Sequence, residues 1–84
     1  MDTRVALIGI IVEDDTNVDK LNSILHENKD YIIGRMGIPY RNKEINVISV
    51  ALDAPMDVIS SISGKIGMIK GISSKVIYSK NTSI

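Results

Sequence analysis

Few side chains in this sequence are equipped for chemistry. His26 is its one histidine, and Asp30 follows four residues later. A single imidazole and a single carboxylate make a weak metal site, and a cation near the end of a helix is better explained as a complement to the helix dipole. Glu13-Asp14-Asp15 groups three carboxylates that could gather a hard cation. The run lacks the Asp/Gly spacing of a calcium loop, and aspartates ahead of a helix cap its free N–H groups equally well. Ser63-Gly64-Lys65-Ile66-Gly67 contains the residue types of a phosphate loop without the spacing GxxxxGK[ST], and it falls at a helix end, where the dipole repels anions. Ser49, Ser60, Ser61, Ser63, Ser73, Ser74, Ser79 and Ser83 have no histidine close in sequence to activate them. With no cysteine there is no thiolate nucleophile, disulfide or iron–sulfur ligand set. This inventory predicts a protein that binds rather than catalyses, with no catalytic residue, no metal site and no cofactor.

The elements that would position these residues must come from a short chain. Its 84 residues, 44% hydrophobic and 24% charged, predict one globular domain over 1–84, with a core at about 4–80 and a tail at 81–84. The formal net charge is zero, so no overall field attracts nucleic acid or an anionic membrane. The charge is polarised: residues 1–33 hold seven acids and three bases, whereas 60–84 hold Lys65, Lys70, Lys75 and Lys80 and no acid. Val5–Val12 is too short for a span and is followed by acids instead of a cleavage site, which predicts a cytoplasmic protein with no membrane contact.

The chain repeats itself at a shift of 40 residues. Val5–Val12 (VALIGIIV) overlays Ile45–Leu52 (INVISVAL), two β-branched runs that each end on an acid, Glu13 and Asp53. A helix start follows each: Asp15 or Thr16 as cap in the first half, Pro55 at the first helical position in the second. Val18, Leu21 and Leu25, then Ile59, Ile62, Ile66 and Ile69, keep helical spacing. Tyr31–Ile38 answers Gly71–Tyr78 as a further strand pair, with Gly67 and Gly71 as helix terminators and Gly64 marking close packing against a neighbour. Tyr40–Glu44 reads as the hairpin turn between the halves. The order is βαββαβ, which predicts an α+β, ferredoxin-like sandwich with an antiparallel sheet ordered 4-1-3-2 and both helices on one face.

Because the shift is even, Ala6, Ile8, Ile10 and Val12 share a face with Ile48, Val50 and Leu52, which predicts the core. The opposite face, with Leu7, Ile11, Ile45 and Val47, is also apolar, although a wet sheet face should alternate. These four residues are therefore the expected oligomer interface of a homodimer or homotetramer. Burying them would contribute roughly 1.5–3 kcal/mol each as an upper bound. The central strands show no aromatic platform for stacking bases, so direct nucleic-acid contact is not expected.

Three segments then converge on a family. Arg35-Met36-Gly37-Ile38-Pro39-Tyr40, Ser63-Gly64-Lys65-Ile66-Gly67 and Gly71-Ile72-Ser73-Ser74-Lys75-Val76 resemble, in order and spacing, the regulators assigned to iron-only hydrogenase systems. That family is similar in fold to ACT domains and to the C-terminal domains of nickel regulators. The resemblance covers about residues 4–80 and implies an ACT-like fold, self-association and a regulatory role, with no catalytic residues. A nickel site does not carry over, since His26 stands alone without cysteine. Where ACT relatives place a glycine-containing ligand turn, this chain has Glu13-Asp14-Asp15. Two functions follow as expectations. One is a regulatory oligomer that admits a small effector or protein partner, with Arg35, Tyr40, Arg41 and Lys65 as candidate ligand-binding residues. The other is an accessory protein that docks onto a hydrogenase or its maturation machinery.

Overall fold

A computed structural model of the chain describes residues 2–80, so the expected tail at 81–84 lies outside the described residues. The elements run β1 (Arg4–Val12), α1 (Val18–Glu27), β2 (Ile32–Tyr40), β3 (Ile45–Ala54), α2 (Met56–Gly67) and β4 (Ile72–Tyr78). The four strands form one sheet in the order β2-β3-β1-β4, every pair antiparallel. This is the ferredoxin-like α+β arrangement, and the internal repeat survives in it. Ile32 and Ile72 each open a strand, and Glu27 and Gly67 each close a helix, at the same 40-residue offset.

The core follows the two periods in the sequence. Ala6, Ile8, Ile10 and Val12 of β1 and Ile48, Val50, Leu52 and Ala54 of β3 are buried beneath Leu21 and Leu25 of α1 and Ile59, Ile62 and Ile66 of α2. Ile69 and Ile72 complete the cluster beyond the helix end. No polar or charged residue joins it among the described residues, so apolar burial is the main force that holds the two layers together. At its margin α2 is tied to β4 by hydroxyls. Ser74 Oγ donates to the Ser63 carbonyl (2.8 Å), which leaves Ser63 Oγ as donor in the 3.1 Å bond between the two side chains. Ser60 Oγ lies 3.1 Å from the Tyr78 hydroxyl.

The local signals differ from expectation at several places, among them the end of β2, which runs on through Pro39 and Tyr40. The first helix start is capped by Asp14, not by Asp15 or Thr16: its carboxylate accepts from Thr16 N–H (2.9 Å) and Thr16 Oγ1 (2.6 Å) and folds Asp15–Asn17 into a 3-10 turn ahead of α1. The second helix begins one residue later than expected, with Pro55 as its N-cap and Met56 as its first helical residue. Among the glycines, Gly67 remains helical, and Gly71, at φ +83°, is the one that turns left-handed. Gly64 was expected to pack closely, yet a Cβ there meets nothing within 4 Å.

Gly71 also holds the loop after β1. Its carbonyl accepts from both Glu13 N–H (2.8 Å) and Asp14 N–H (3.3 Å), and a Cβ at Gly71 would lie 2.5 Å from Asp14 Cβ. The clamp therefore needs glycine for its conformation and for its space. Gly71→Ala should destabilise the fold by about 2–4 kcal/mol in chemical denaturation, from left-handed strain together with displacement of the loop. Gly64→Ala, at an open helical position, should stabilise it by about 0.5–1 kcal/mol. The bonds from Thr16, first from its hydroxyl and then from its backbone N–H, hold the Asp14 carboxyl below its ordinary value near 3.8, with a smaller contribution from the Lys70 charge. A lowered folded-state pKa stabilises above the ordinary value and is lost as pH falls through the lowered one. Melting curves should thus show Asp14→Ala less stable than the parent at pH 7, with the gap closing in acid below the lowered value.

Candidate functional site

The broadest surface feature is the sheet face turned away from the helices. The register places Leu7 beside Ala51 and Ile77, Ile11 beside Val47 and Ser73, and Gly9 beside Ser49 and Lys75. Strand β2 extends this face, with Met36 paired to Ser49, Ile38 to Val47 and Tyr40 to Ile45. Of the four interface residues expected from the sequence, Leu7 and Val47 remain 40% and 37% exposed, while Ile11 and Ile45 are already half-buried by their neighbours. The larger exposed areas lie on the edge strands, where Met36 is 61%, Ile38 54% and Ile77 69% exposed. These edge residues were missed because only the central strands were assigned to faces. The signal was legible in Met36, Ile38 and Tyr40, which stand two residues apart.

Strand β2 shows an inverted alternation. Its positions on the helix side are Arg35, Gly37 and Pro39, paired to Val50, Ile48 and Asn46, and all three are exposed because the helices do not reach over this edge. Its apolar residues point the other way. Pro39 sits where an edge strand tolerates a missing N–H, and Lys75 stands on the opposite edge strand. At one end Asp53, paired to Val5, closes the apolar field with a carboxylate.

The four residues expected to bind a ligand do not converge within one chain. Strand alternation alone separates Arg35 from Tyr40, five residues apart and therefore on opposite faces. Tyr40 and Arg41 come together in an open concavity of about 760 Å³ between the loop after β1 and the β2–β3 hairpin. Its lining is acidic: Glu13, Asp14, Asp15 and Glu44 face it with Arg41 as the one base. The hairpin is held by a 3-10 turn at Arg41–Lys43 and by Glu44 at φ 54°, a left-handed residue that aims β3 back along β2. Arg35 lies instead with His26, Asn22 and Lys29 over Leu25 and Ile32, beside α1. Lys65 lies on α2, facing grooves on both of its flanks.

His26 is in the last turn of α1, as its position suggested, but the side chain that caps a carbonyl there is Asn28, whose Nδ2 donates to Ile24 O (2.8 Å). Asp30 does not share its concavity. Among the described residues no group of three or more His, Cys, Asp or Glu side chains comes together to hold a metal ion. No helix is long and apolar enough to cross a membrane, again among the described residues.

Among solved structures, the uncharacterized protein TM1266 from Thermotoga maritima superposes with a TM-score of 0.89 and 29% identity, covering 94% of this chain and 100% of that one. A formyltetrahydrofolate deformylase from Pseudomonas putida KT2440 superposes with a TM-score of 0.62 and 13% identity. That match covers 87% of this chain and 28% of the enzyme, so it concerns the fold alone. Comparison with curated protein sequences gives no match. The family profile described as "TM1266-like: Iron-only hydrogenase system regulator, putative" matches residues 4–76, from the first residue of β1 to within two residues of the end of β4. The repeat, the sheet order and the profile thus agree over the whole βαββαβ unit, and the chain belongs to the TM1266-like family.

Proposed function

We propose that this chain is a regulatory binding module that acts first by associating with its own copy across the open sheet face, as a homodimer or homotetramer in the cytoplasm. The observation that carries this reading is the inverted alternation of β2. An edge strand in a lone sandwich turns its apolar side toward the core, but this one turns Met36, Ile38 and Tyr40 away from it. Gly9 adds a second argument. It sits in the central strand at the middle of the open face, where a Cβ would have its nearest neighbour, Lys75 O, at 4.0 Å. Nothing within the chain requires a glycine there, whereas the close approach of another copy would.

The exposed apolar area favours such an association. Full burial of such a side chain is worth roughly 1.5–3 kcal/mol, and about half of each remains to be covered, so each contributes on the order of 1 kcal/mol. Leu7, Met36, Ile38, Val47 and Ile77 together supply several kcal/mol per subunit by the same rule. We assign the effector position to the concavity at Tyr40 and Arg41, whose four carboxylates suit a ligand bearing a cationic group. The family's description as a regulator supports a binding role over a catalytic one.

Light scattering at micromolar concentration should give a mass of two or four chains. Leu7→Lys and Gly9→Val should each reduce it to one chain while the far-ultraviolet circular dichroism is retained. A parent protein that is monomeric, or a Leu7→Lys variant of unchanged mass, would overturn the reading. Thermal-shift screening against amines, amino acids, nucleotides and metal ions, repeated in Arg41→Ala, tests the effector position.

A further inference from the structure

The helix layer, on the side of the sandwich opposite the open sheet face, has a surface of a different character. Where the start of α1 meets the end of α2, a groove of about 600 Å³ has an apolar lining of Ile24, Met68 and Ile69. Ile69 belongs to the buried core and Ile24 packs against it. Met68, in the turn after α2, is 87% exposed, more than any other large apolar residue described. Around this lining stand Lys20, Lys65 and Lys70. Asp19 is the one carboxylate there, and Lys70 is shared with the charge of Asp14.

We infer that this groove docks a short amphipathic, acidic segment of a partner protein. Charge complementarity selects the occupant: three ammonium groups surround an apolar floor with a single carboxylate among them, so a matching segment presents apolar side chains flanked by Asp or Glu. The unbranched, exposed Met68 suits such a contact, because its thioether adapts to the side chains that cover it. The volume admits two or three apolar side chains, the reach of a single helical turn or short extended stretch. Nucleic acid finds the charge without any aromatic ring to stack on. Since the groove and the open sheet face lie on opposite layers, a self-associated module keeps it free for a partner.

The test uses the isotope-labelled full chain titrated with a fluorescent 14-residue peptide that has leucine at i, i+3, i+4 and i+7 and glutamate elsewhere. Saturable binding is expected, with amide shifts concentrated at Ile24, Lys65 and Met68–Lys70, weakening as salt is raised. Met68→Glu and Lys65→Glu should each weaken it about tenfold or more, both being exposed changes that leave the fold intact, while Lys29→Glu on the far edge should not. Equal binding of the same peptide with lysine in place of glutamate would overturn the inference. So would shifts centred on the open sheet face, a changed oligomer mass in Met68→Glu, or absence of binding. Vesicles rich in phosphatidylserine that bind with the same dependence on Met68 would assign the surface to a membrane instead.

Discussion

Everything in this molecule depends on the burial of two strand rows, Ile8-Ile10-Val12 and Ile48-Val50-Leu52, beneath two amphipathic helices. No polar or charged residue is fully buried in that contact among the described residues, so the layers are held chiefly by exclusion of water and by close packing of branched aliphatic side chains. Such a core is tolerant of sequence but strict about period. One slip of register would move every buried residue to the other face of the sheet. The loops are arranged to prevent this. The Gly71 carbonyl ties the end of β1 to the start of β4, and the serine contacts fasten α2 to β4.

The same strands have a second, largely apolar face, turned away from the helices. A sheet with helices on one side only needs one apolar face. Here the other is largely apolar on β1, β2 and β3, with small residues, Gly9, Ser49 and Ala51, at its centre, while β4 adds Ile77 beside the polar Ser73 and Lys75. The result is a shallow, broad surface with charges confined to Lys75 and Asp53. Exposed apolar fields of this kind mark interaction surfaces in soluble proteins. The helix layer presents a narrower, basic-rimmed groove, so the two sides of the sandwich differ in shape and in charge. That division suits a module whose two layers meet different neighbours.

How far the residues were legible can be argued element by element. The helix faces at Leu21 and Leu25 and at Ile59, Ile62 and Ile66 were readable because helical spacing is a local property, and burial follows once any sheet is offered. Pro39 and Tyr40 extended β2 beyond the expected strand because pairing with Asn46 and Ile45 decides where an edge strand ends. The expected cap at Asp15 or Thr16 moved to Asp14 because the clamp from Gly71 fixes the loop one residue earlier. The expectation for Gly64 failed for another reason: it stands two residues from both Ile62 and Ile66, opposite the buried stripe of α2, where no neighbour lies.

By itself the sequence determined the βαββαβ order, the core rows and the excess of apolar side chains, since each follows from a period of 2 or 3.6 and from a 40-residue repeat. Only the tertiary structure decided which candidate residues meet. Arg35, in the same motif as Tyr40, lies beside α1 with His26 and Asn22. Tyr40 meets the acids of Glu13-Asp14-Asp15 instead, and Lys65 meets Ile24 and Met68. Those encounters join residues far apart in the chain, and they depend on strand register and on where each helix lies along the sheet.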